Sequence, residues 1–124
     1  MFDTPDLMRV AQDLARHAGA RQTVIAQNIA QADTPGFRAR DIAPFQAHVA
    51  SVLRVTRTTH LDAPTHAVRH SAQPDRTAPS LSPNGNSVSL EREMMRAAQT
   101  RQVHDMALAT YGSARTILRT ALGR

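Results

Sequence analysis

The chain has 124 residues and a formal charge of +5, and its fifteen basic residues are all Arg, with no Lys and no Cys. This length provides room for one domain, and the lack of Cys excludes disulfides, thiolate metal sites and cysteine nucleophiles. Ala is nearly as frequent as Leu, Ile, Val and Phe combined, so few large side chains are available for a core. The composition therefore predicts a single domain over residues 1–124 that is not an enzyme.

A long N-terminal helix is predicted over residues 4–33. Thr4 and Pro5 suit an N-cap and a first helical position, and no further proline occurs before Pro35. Pro35 and Gly36 end the helix, because proline disfavours a helical residue before it and a Pro-Gly pair favours a type II turn. Apolar residues recur at helical spacing along this segment: Leu7, Ala11, Leu14, Ala18, Ile25, Ile29 and Ala32.

The middle of the chain, residues 34–83, contains six of the seven prolines. It is therefore predicted to be mostly irregular. Its pattern allows a short helix at 45–53 and a strand at 55–60. Residues 61–83 are polar and without period, which predicts a loop or a disordered linker.

A turn and a second long helix are predicted over residues 84–124, with the helix starting near 87–89. Glu91 and Glu93 lie in its first turns, where acidic charge favours the helix dipole, and we interpret them as helix-start charges. A stripe of near-heptad spacing follows: Leu90, Met94, Ala97, Val103, Met106, Thr110, Ala114, Ile117, Ala121 and Leu122.

These elements predict a mainly α fold. The long N- and C-terminal helices are expected to form a coiled-coil pair, joined by an irregular, Pro-rich middle with at most a short helix or strand. Both helical stripes are narrow and rich in Ala, which suits close contact between helices better than a bulky core. We therefore expect much of the buried surface to lie between molecules.

No cofactor or metal site is predicted. His60, His66 and His70 fall in the loop-like middle, and no His pair has the spacing with a Glu of a helical zinc site. The sequence contains no nucleophile elbow and no phosphate-binding loop, and no apolar run reaches the length of a membrane span. The N-terminal residues do not resemble a signal peptide, so export would need another route.

A small Arg-rich nucleic-acid-binding helical module is an alternative interpretation, because arginines on the second helix could contact phosphates. However, Arg92 and Arg96 are separated from Arg115 and Arg119 by a stretch without Arg, and no aromatic side chains for base stacking accompany them. A solvated or subunit-facing polar face is the preferred interpretation, and no nucleic-acid partner is expected.

The most specific signal is the junction between the first helix and its turn, which reads N-I-A-Q-A-D-T-P-G-F at residues 28–37. A second string, G-N-S-V-S-L-E-R-E-M at residues 85–94, opens the C-terminal helix. Together they resemble the terminal signatures of the bacterial flagellar rod and hook protein family, and its proximal rod members most of all. The resemblance covers both ends of the chain and leaves out residues 55–83. Gln27 and Gln31 depart from the residues that are usual in the family.

The resemblance implies a structural subunit of the proximal rod of the flagellar basal body. It implies export by the flagellar type III apparatus without a cleaved signal peptide. It also implies that the end helices form a coiled-coil layer that becomes ordered on assembly. The assembled subunits would form the helical tube of the periplasmic rod, which transmits torque. The implied partners are copies of the chain, other rod proteins, the protein connecting the rod to the ring or export gate, the MS ring and the export apparatus. Another axial component is an alternative, although larger ones carry an additional β-rich domain for which residues 35–83 leave little space.

Two sets of residues are predicted to serve assembly. The first set is expected to pack between helices: Leu7, Leu14, Ile25, Asn28, Ile29, Met106, Ile117 and Leu118. The second set is expected to form the turn that leaves the coiled coil, and to anchor the segment after it against a neighbour: Asp33, Thr34, Pro35 and Gly36 for the turn, and Phe37, Ile42 and Phe45 for the anchor.

Overall fold

The structure is a computed structural model that describes residues 4–46, 70–78 and 82–123. Its elements are helix α1 (Thr4–Ala30), strand β1 (Arg40–Ile42), strand β2 (Ala72–Pro74) and helix α2 (Leu90–Ala121). The prediction of a mainly helical fold is confirmed, and the two helices pack against each other. They run antiparallel, since the end of α1 meets the start of α2.

The contact between the helices follows a strict seven-residue spacing. The buried positions on α1 include Ala11, Ala18 and Ile25, and those on α2 are Glu93, Thr100, Ala107 and Ala114. Residues seven apart remain on one side of a helix that wraps around a partner. Because most of them are Ala or Thr, the helix backbones can approach closely, and Ile25 is the largest apolar side chain buried between them.

The apolar stripe predicted for α2 is correct at Ala114, which is buried, but wrong for its large members. Its large members Leu90, Met94, Met106, Ile117 and Leu122 are all exposed. The contact line instead begins at Glu93 and continues through small residues. The face of α1 that it meets is rich in Ala, and close packing against such a face requires small side chains on α2.

Both helices differ slightly from their predicted bounds. Helix α1 ends at Ala30 rather than at residue 33, because the backbone hydrogen bonds change there from four to three residues apart. Ala32 N donates to Ile29 O at 3.2 Å and Thr34 N donates to Gln31 O at 3.1 Å. Helix α2 begins at Leu90, and the carbonyl of Ser89 accepts a hydrogen bond of 3.0 Å from Glu93 N.

The middle of the chain contains a two-stranded antiparallel ladder in which Ile42 is opposite Ala72 and Arg40 is opposite Pro74. The sequence did not predict strand β2, since three residues are too short to show a period and their partner strand β1 lies 30–34 residues earlier in the chain. The predicted strand at 55–60 lies outside the described residues, as does the predicted helix at 45–53 from residue 47 onward.

Candidate functional site

Two turns dock against each other where α1 ends and α2 begins. Gly36 has φ of +73° and Gly85 has φ of +80°, a region that side chains rarely adopt and that glycine enters readily. Gly36 N donates to Asn84 O at 3.0 Å, and a Cβ placed on Gly85 would lie 3.4 Å from the Cα of Gly36. The two turns therefore meet backbone to backbone.

Asn86 closes the end of α1 from the second turn. Its Nδ2 lies within hydrogen-bonding distance of three carbonyl oxygens, at 2.9 Å from Gln31, 2.7 Å from Ala32 and 2.9 Å from Thr34. These carbonyls belong to the turn that follows α1, and the buried side-chain amide of Asn86 holds that turn in place. The Oδ1 of Asn86 accepts from Val88 N at 2.8 Å, so the same side chain also fixes the approach to α2.

The segment after the first turn is held by polar contacts as well. Ser87 N donates to Phe37 O at 3.0 Å, and Ala39 N donates to Ser87 Oγ at 2.9 Å. Phe37 itself is half-buried. These bonds lay residues 37–39 alongside the start of α2, which brings strand β1 over the helix pair.

Asn28 joins three elements. Its Nδ2 donates to Glu93 Oε2 on α2 at 2.9 Å and to Arg40 O at 2.7 Å, and its Oδ1 accepts from Arg40 N at 3.1 Å. Asn28 and Glu93 are 1% and 2% exposed. An unpartnered carboxylate at that depth would be very unfavourable, so Asn28 makes burial of Glu93 possible.

Arg96 provides the charge that balances Glu93. Its Nη1 lies 3.1 Å from Glu93 Oε1 and 3.8 Å from Asp41 Oδ2, and its Nη2 lies 2.8 Å from Asp75 Oδ2. Arg21 on α1 binds Asp41 with two parallel hydrogen bonds, from Nε at 2.8 Å and from Nη2 at 2.7 Å. We name Arg21, Asn28, Asp41, Asp75, Glu93 and Arg96 the polar junction.

The electrostatics of the polar junction are visible in its pKa values. Burial acts to raise the pKa of Asp41, but hydrogen bonds from Arg21 and from Ile42 N, together with the charge of Arg96, lower it overall. Burial also acts to raise the pKa of Asp75, but hydrogen bonds from Thr77 and Arg96 lower it overall. The hydrogen bond to Asp41 is the main cause of the raised pKa of Arg21. Both Asp residues are thus held as carboxylates.

The far side of strand β1 is fixed by His17. Its Nε2 donates to the carbonyl of Ala43 at 2.7 Å. Its ring makes edge contacts with Phe45, with centroids 5.6 Å apart, and with His70, with centroids 5.3 Å apart. Ile42, the last residue of β1, is buried.

The predicted assembly residues fall into separate environments. Ile25, Asn28 and Ile42 are buried within the chain, while Leu7, Met106 and Ile117 are exposed. Half-buried positions are Leu14, Ile29, Phe37, Phe45 and Leu118, and the turn residues Asp33, Thr34, Pro35 and Gly36 are exposed.

Sequence reasoning missed most of the polar junction. Glu93 was interpreted as a charge at the helix start, although its spacing of seven from Thr100, and then from Ala107 and Ala114, was a signal that it faces α1. Arg21, Asp41 and Asp75 gave no such signal, because their pairing depends on how residues 39–42 and 72–75 fold over the helices.

Guanidinium, amide, hydroxyl and backbone groups contact the three carboxylates of the polar junction. Within residues 4–46, 70–78 and 82–123, no group of three His, Asp or Glu side chains could hold a metal ion. In the same part of the chain, no helix is long and apolar enough to cross a membrane. In the described residues, these polar and backbone contacts hold the two long helices and strand β1 together.

Comparison with known proteins identifies the family. The chain is 33% identical to the flagellar basal body rod protein FlgB of Salmonella typhimurium, over an alignment of 130 positions that covers 91% of each chain. The Escherichia coli FlgB is 33% identical over 88% of each chain, and the Agrobacterium fabrum FlgB is 32% identical over 81% of this chain and 80% of the relative. No family model matches.

The chain therefore belongs to the FlgB family of flagellar basal body rod proteins. Its relatives are structural components rather than enzymes, which confirms the prediction that the chain is not an enzyme.

Proposed function

We propose that the chain is a structural subunit of the proximal rod of the flagellar basal body, which assembles with copies of itself and with other rod proteins into a helical tube that transmits torque. The observation that carries this proposal is the similarity to FlgB over about nine-tenths of both chains. The similarity spans both terminal helices and the junction between them, so it includes the parts of the chain that the fold brings together.

The two locked helices suit this role physically. Their contact is narrow and lined by Ala, which favours a coiled-coil pair that leaves much of each helix surface for neighbours. Large apolar side chains remain exposed on α2, and contiguous exposed apolar surface marks sites of protein association. We assign Leu7, Met106 and Ile117 to contacts between molecules, and Ile25 and Asn28 to packing within the pair.

The turn set has a supporting role in the same proposal. Asp33, Thr34, Pro35 and Gly36 redirect the chain at the end of α1, and Phe37, Ile42 and Phe45 follow as its anchor. Gly36 bonds to Asn84, Phe37 to Ser87 and Ile42 to Asp41, and Phe45 lies beside His17. The anchor would thus hold strand β1 in place for a neighbour to contact.

The place and neighbours of the subunit follow from the family. We place it in the periplasmic rod, exported by the flagellar type III apparatus without a cleaved signal peptide. Its expected neighbours are other rod proteins, the protein that connects the rod to the ring or export gate, and the MS ring.

Complementation tests this function. In a strain of the source bacterium that lacks the chromosomal gene, a plasmid copy should restore swimming, and isolated basal bodies should contain the chain in their rods. As a control, the same plasmid with a premature stop codon should leave the cells non-motile. Swimming cells without the gene, or basal bodies that lack the chain, would contradict the proposal.

A further inference from the structure

The second turn contains the only Asn-Gly pair of the chain, Asn84-Gly85. Glycine has no side chain to obstruct its own backbone nitrogen, so in an unfolded chain that nitrogen can reach the side-chain carbonyl carbon of the Asn before it. The other two Asn residues precede Ile29 and Ser87, whose side chains hinder this approach, and the β-branched Ile hinders it most. The amide of Asn84 is therefore the one most open to attack by its own backbone.

Such an attack releases the side-chain amide as ammonia. A hydroxide ion removes the proton of Gly85 N, which then bonds to Cγ of Asn84. The Cγ–Nδ2 bond breaks, and the leaving nitrogen takes a proton from water, so that hydroxide is regenerated and a cyclic imide remains. Water then opens the imide at either of its carbonyl carbons. Cleavage at Cγ gives Asp, and cleavage at the main-chain carbon gives isoaspartate.

The docked turns oppose this reaction. The attacking atom, Gly85 N, donates a hydrogen bond to Ser82 O at 2.7 Å, which occupies the proton that must be removed. Oδ1 of Asn84 accepts from Asn86 N at 3.1 Å, and the main-chain O of Asn84 accepts from Gly36 N at 3.0 Å. Closing the imide ring requires the Asn84 side chain and the following peptide group to rotate toward each other, so these bonds have to break first.

The isoaspartate product does not fit the docked turns. Its main chain runs through Cβ and Cγ of residue 84, which inserts an extra carbon before Gly85 N. The turns leave little room for that shift, since a Cβ placed on Gly85 would already lie 3.4 Å from the Cα of Gly36. The Asp product keeps the normal main chain, and its carboxylate can still accept the hydrogen bond from Asn86 N.

We propose that Asn84-Gly85 is a deamidation site whose reaction is controlled by the docking of the two turns. The amide is protected while the turns are docked. When they separate, Asn84 loses ammonia, and the isoaspartate that forms prevents the turns from docking again. The modification thus removes chains that remain undocked from the folded population. It is a property of the single chain and does not depend on the proposed function.

Ageing the purified chain at neutral pH tests the proposal. Trypsin releases residues 77–92 as one peptide, because Arg76 precedes this segment and Arg92 ends it. Tandem mass spectrometry of the peptide distinguishes deamidation at Asn84 from deamidation at Asn86. In urea the reaction should concentrate at Asn84. Without urea it should be slower by at least about tenfold, since even a local opening free energy of about 1.4 kcal/mol lowers the reactive population by that factor.

Two outcomes of this experiment would overturn the proposal. Equal rates at Asn84 with and without urea would show that the docked turns give no protection. Equal rates at Asn84 and Asn86 in urea would show that the Asn-Gly pair is not the reactive site.

A matched pair of glycine variants tests the link to docking. Gly36→Ala is distant from Asn84 in the sequence but alters the turn that docks against it, and should accelerate deamidation without urea about 5–30-fold, the ratio that corresponds to a loss of about 1–2 kcal/mol. Gly19→Ala, inside α1, should not accelerate it. In urea the wild type and both variants should react at the same rate, because their sequence around Asn84 is identical. Equal rates for Gly36→Ala and the wild type without urea would contradict the proposal.

The modified chain itself tests the effect on docking. After ageing in urea, chromatography separates the isoaspartate form, which is then returned to buffer without urea. Its Gly36 amide should exchange with solvent severalfold faster than in the unmodified chain, because the bond to the carbonyl of residue 84 is lost. Asn84→Asp is the matched control and should protect the Gly36 amide as the wild type does. An isoaspartate form that protects this amide equally well would overturn the proposal.

Discussion

Asn28 on α1 and Glu93 on α2 are joined by a hydrogen bond of 2.9 Å although they lie 65 residues apart in the chain. Both side chains are almost completely buried, in a contact line made mostly of small residues. A single polar pair in such a line favours one register, because sliding the helices would leave Glu93 buried without its donor. We infer that this pair fixes how the two helices are aligned.

The first prediction concerns that pair. Asn28→Ala should destabilise the purified chain by about 3 kcal/mol, because Oε2 of the buried Glu93 and the Arg40 backbone lose their hydrogen bonds to Asn28. Urea unfolding followed by circular dichroism measures the change. Gln27→Ala is the matched control, as an exposed neighbour on the same helix, and should shift stability by no more than about 0.5 kcal/mol. Similar losses in the two variants would show that Asn28 has no special role.

The second prediction concerns Asn86. Asn86→Ala should destabilise the turn after α1 by about 1–3 kcal/mol, since the carbonyl oxygens of Gln31, Ala32 and Thr34 lose their contacts with the Asn86 amide. Asn86→Asp should be worse, because a carboxylate keeps the bond from Val88 N but places negative charge against the negative end of the helix. Hydrogen exchange of the amides of residues 31–34 should accelerate in the same order. An Asp variant as stable as the wild type would contradict this role.

The third prediction compares two glycines. Gly36→Ala should destabilise the chain by about 1–2 kcal/mol, because its backbone is left-handed while a Cβ there would meet no atom within 4 Å. Gly19→Ala should instead stabilise it by about 1 kcal/mol, since Gly19 lies inside α1 with open space around it. Thermal unfolding of both variants checks the opposite signs. In cells, Gly36→Val should prevent assembly and swimming, and normal rods in that variant would contradict the role of the turn.

The fourth prediction concerns acid. The pKa values of Asp41 and Asp75 are lowered in the folded chain, so the unfolded chain binds protons first as the pH falls. Their stabilising contribution is complete above their unfolded pKa of about 3.9 and is lost as the pH falls from there through the lowered folded values. Urea midpoints measured from neutral to acidic pH should therefore fall most steeply below about pH 4.

A matched pair of variants assigns that acid sensitivity. Asp41→Asn should lower stability at neutral pH and flatten its fall in acid, because the ion pair with Arg21 is lost. Asp13→Asn, which alters an exposed carboxylate paired with Arg16 on the same helix, should leave the slope unchanged. Parallel curves for Asp41→Asn and the wild type would exclude Asp41 as a source of the acid sensitivity.

Local signals in the sequence predicted the two long helices and the turn between α1 and the middle. Proline-free stretches with helical periodicity predicted α1 and α2, and Pro35-Gly36 predicted a turn in which Gly36 adopts positive φ. These features depend on neighbours within a few residues, so the sequence shows them directly. The strings at 28–37 and 85–94 likewise predicted the family that the comparisons identify.

The side of α2 that faces α1 was decided only by the tertiary structure. Apolar periodicity favoured a stripe that contains Met106, Ala114 and Ile117. Close packing of two Ala-rich helices kept only Ala114 of these, added Thr100 and Ala107, and left the large side chains exposed. The polar junction was hidden for a related reason. Arg21 pairs with Asp41, and Arg96 with Asp75, only when segments distant in the chain fold over the helix pair. No local sequence pattern indicates these pairs.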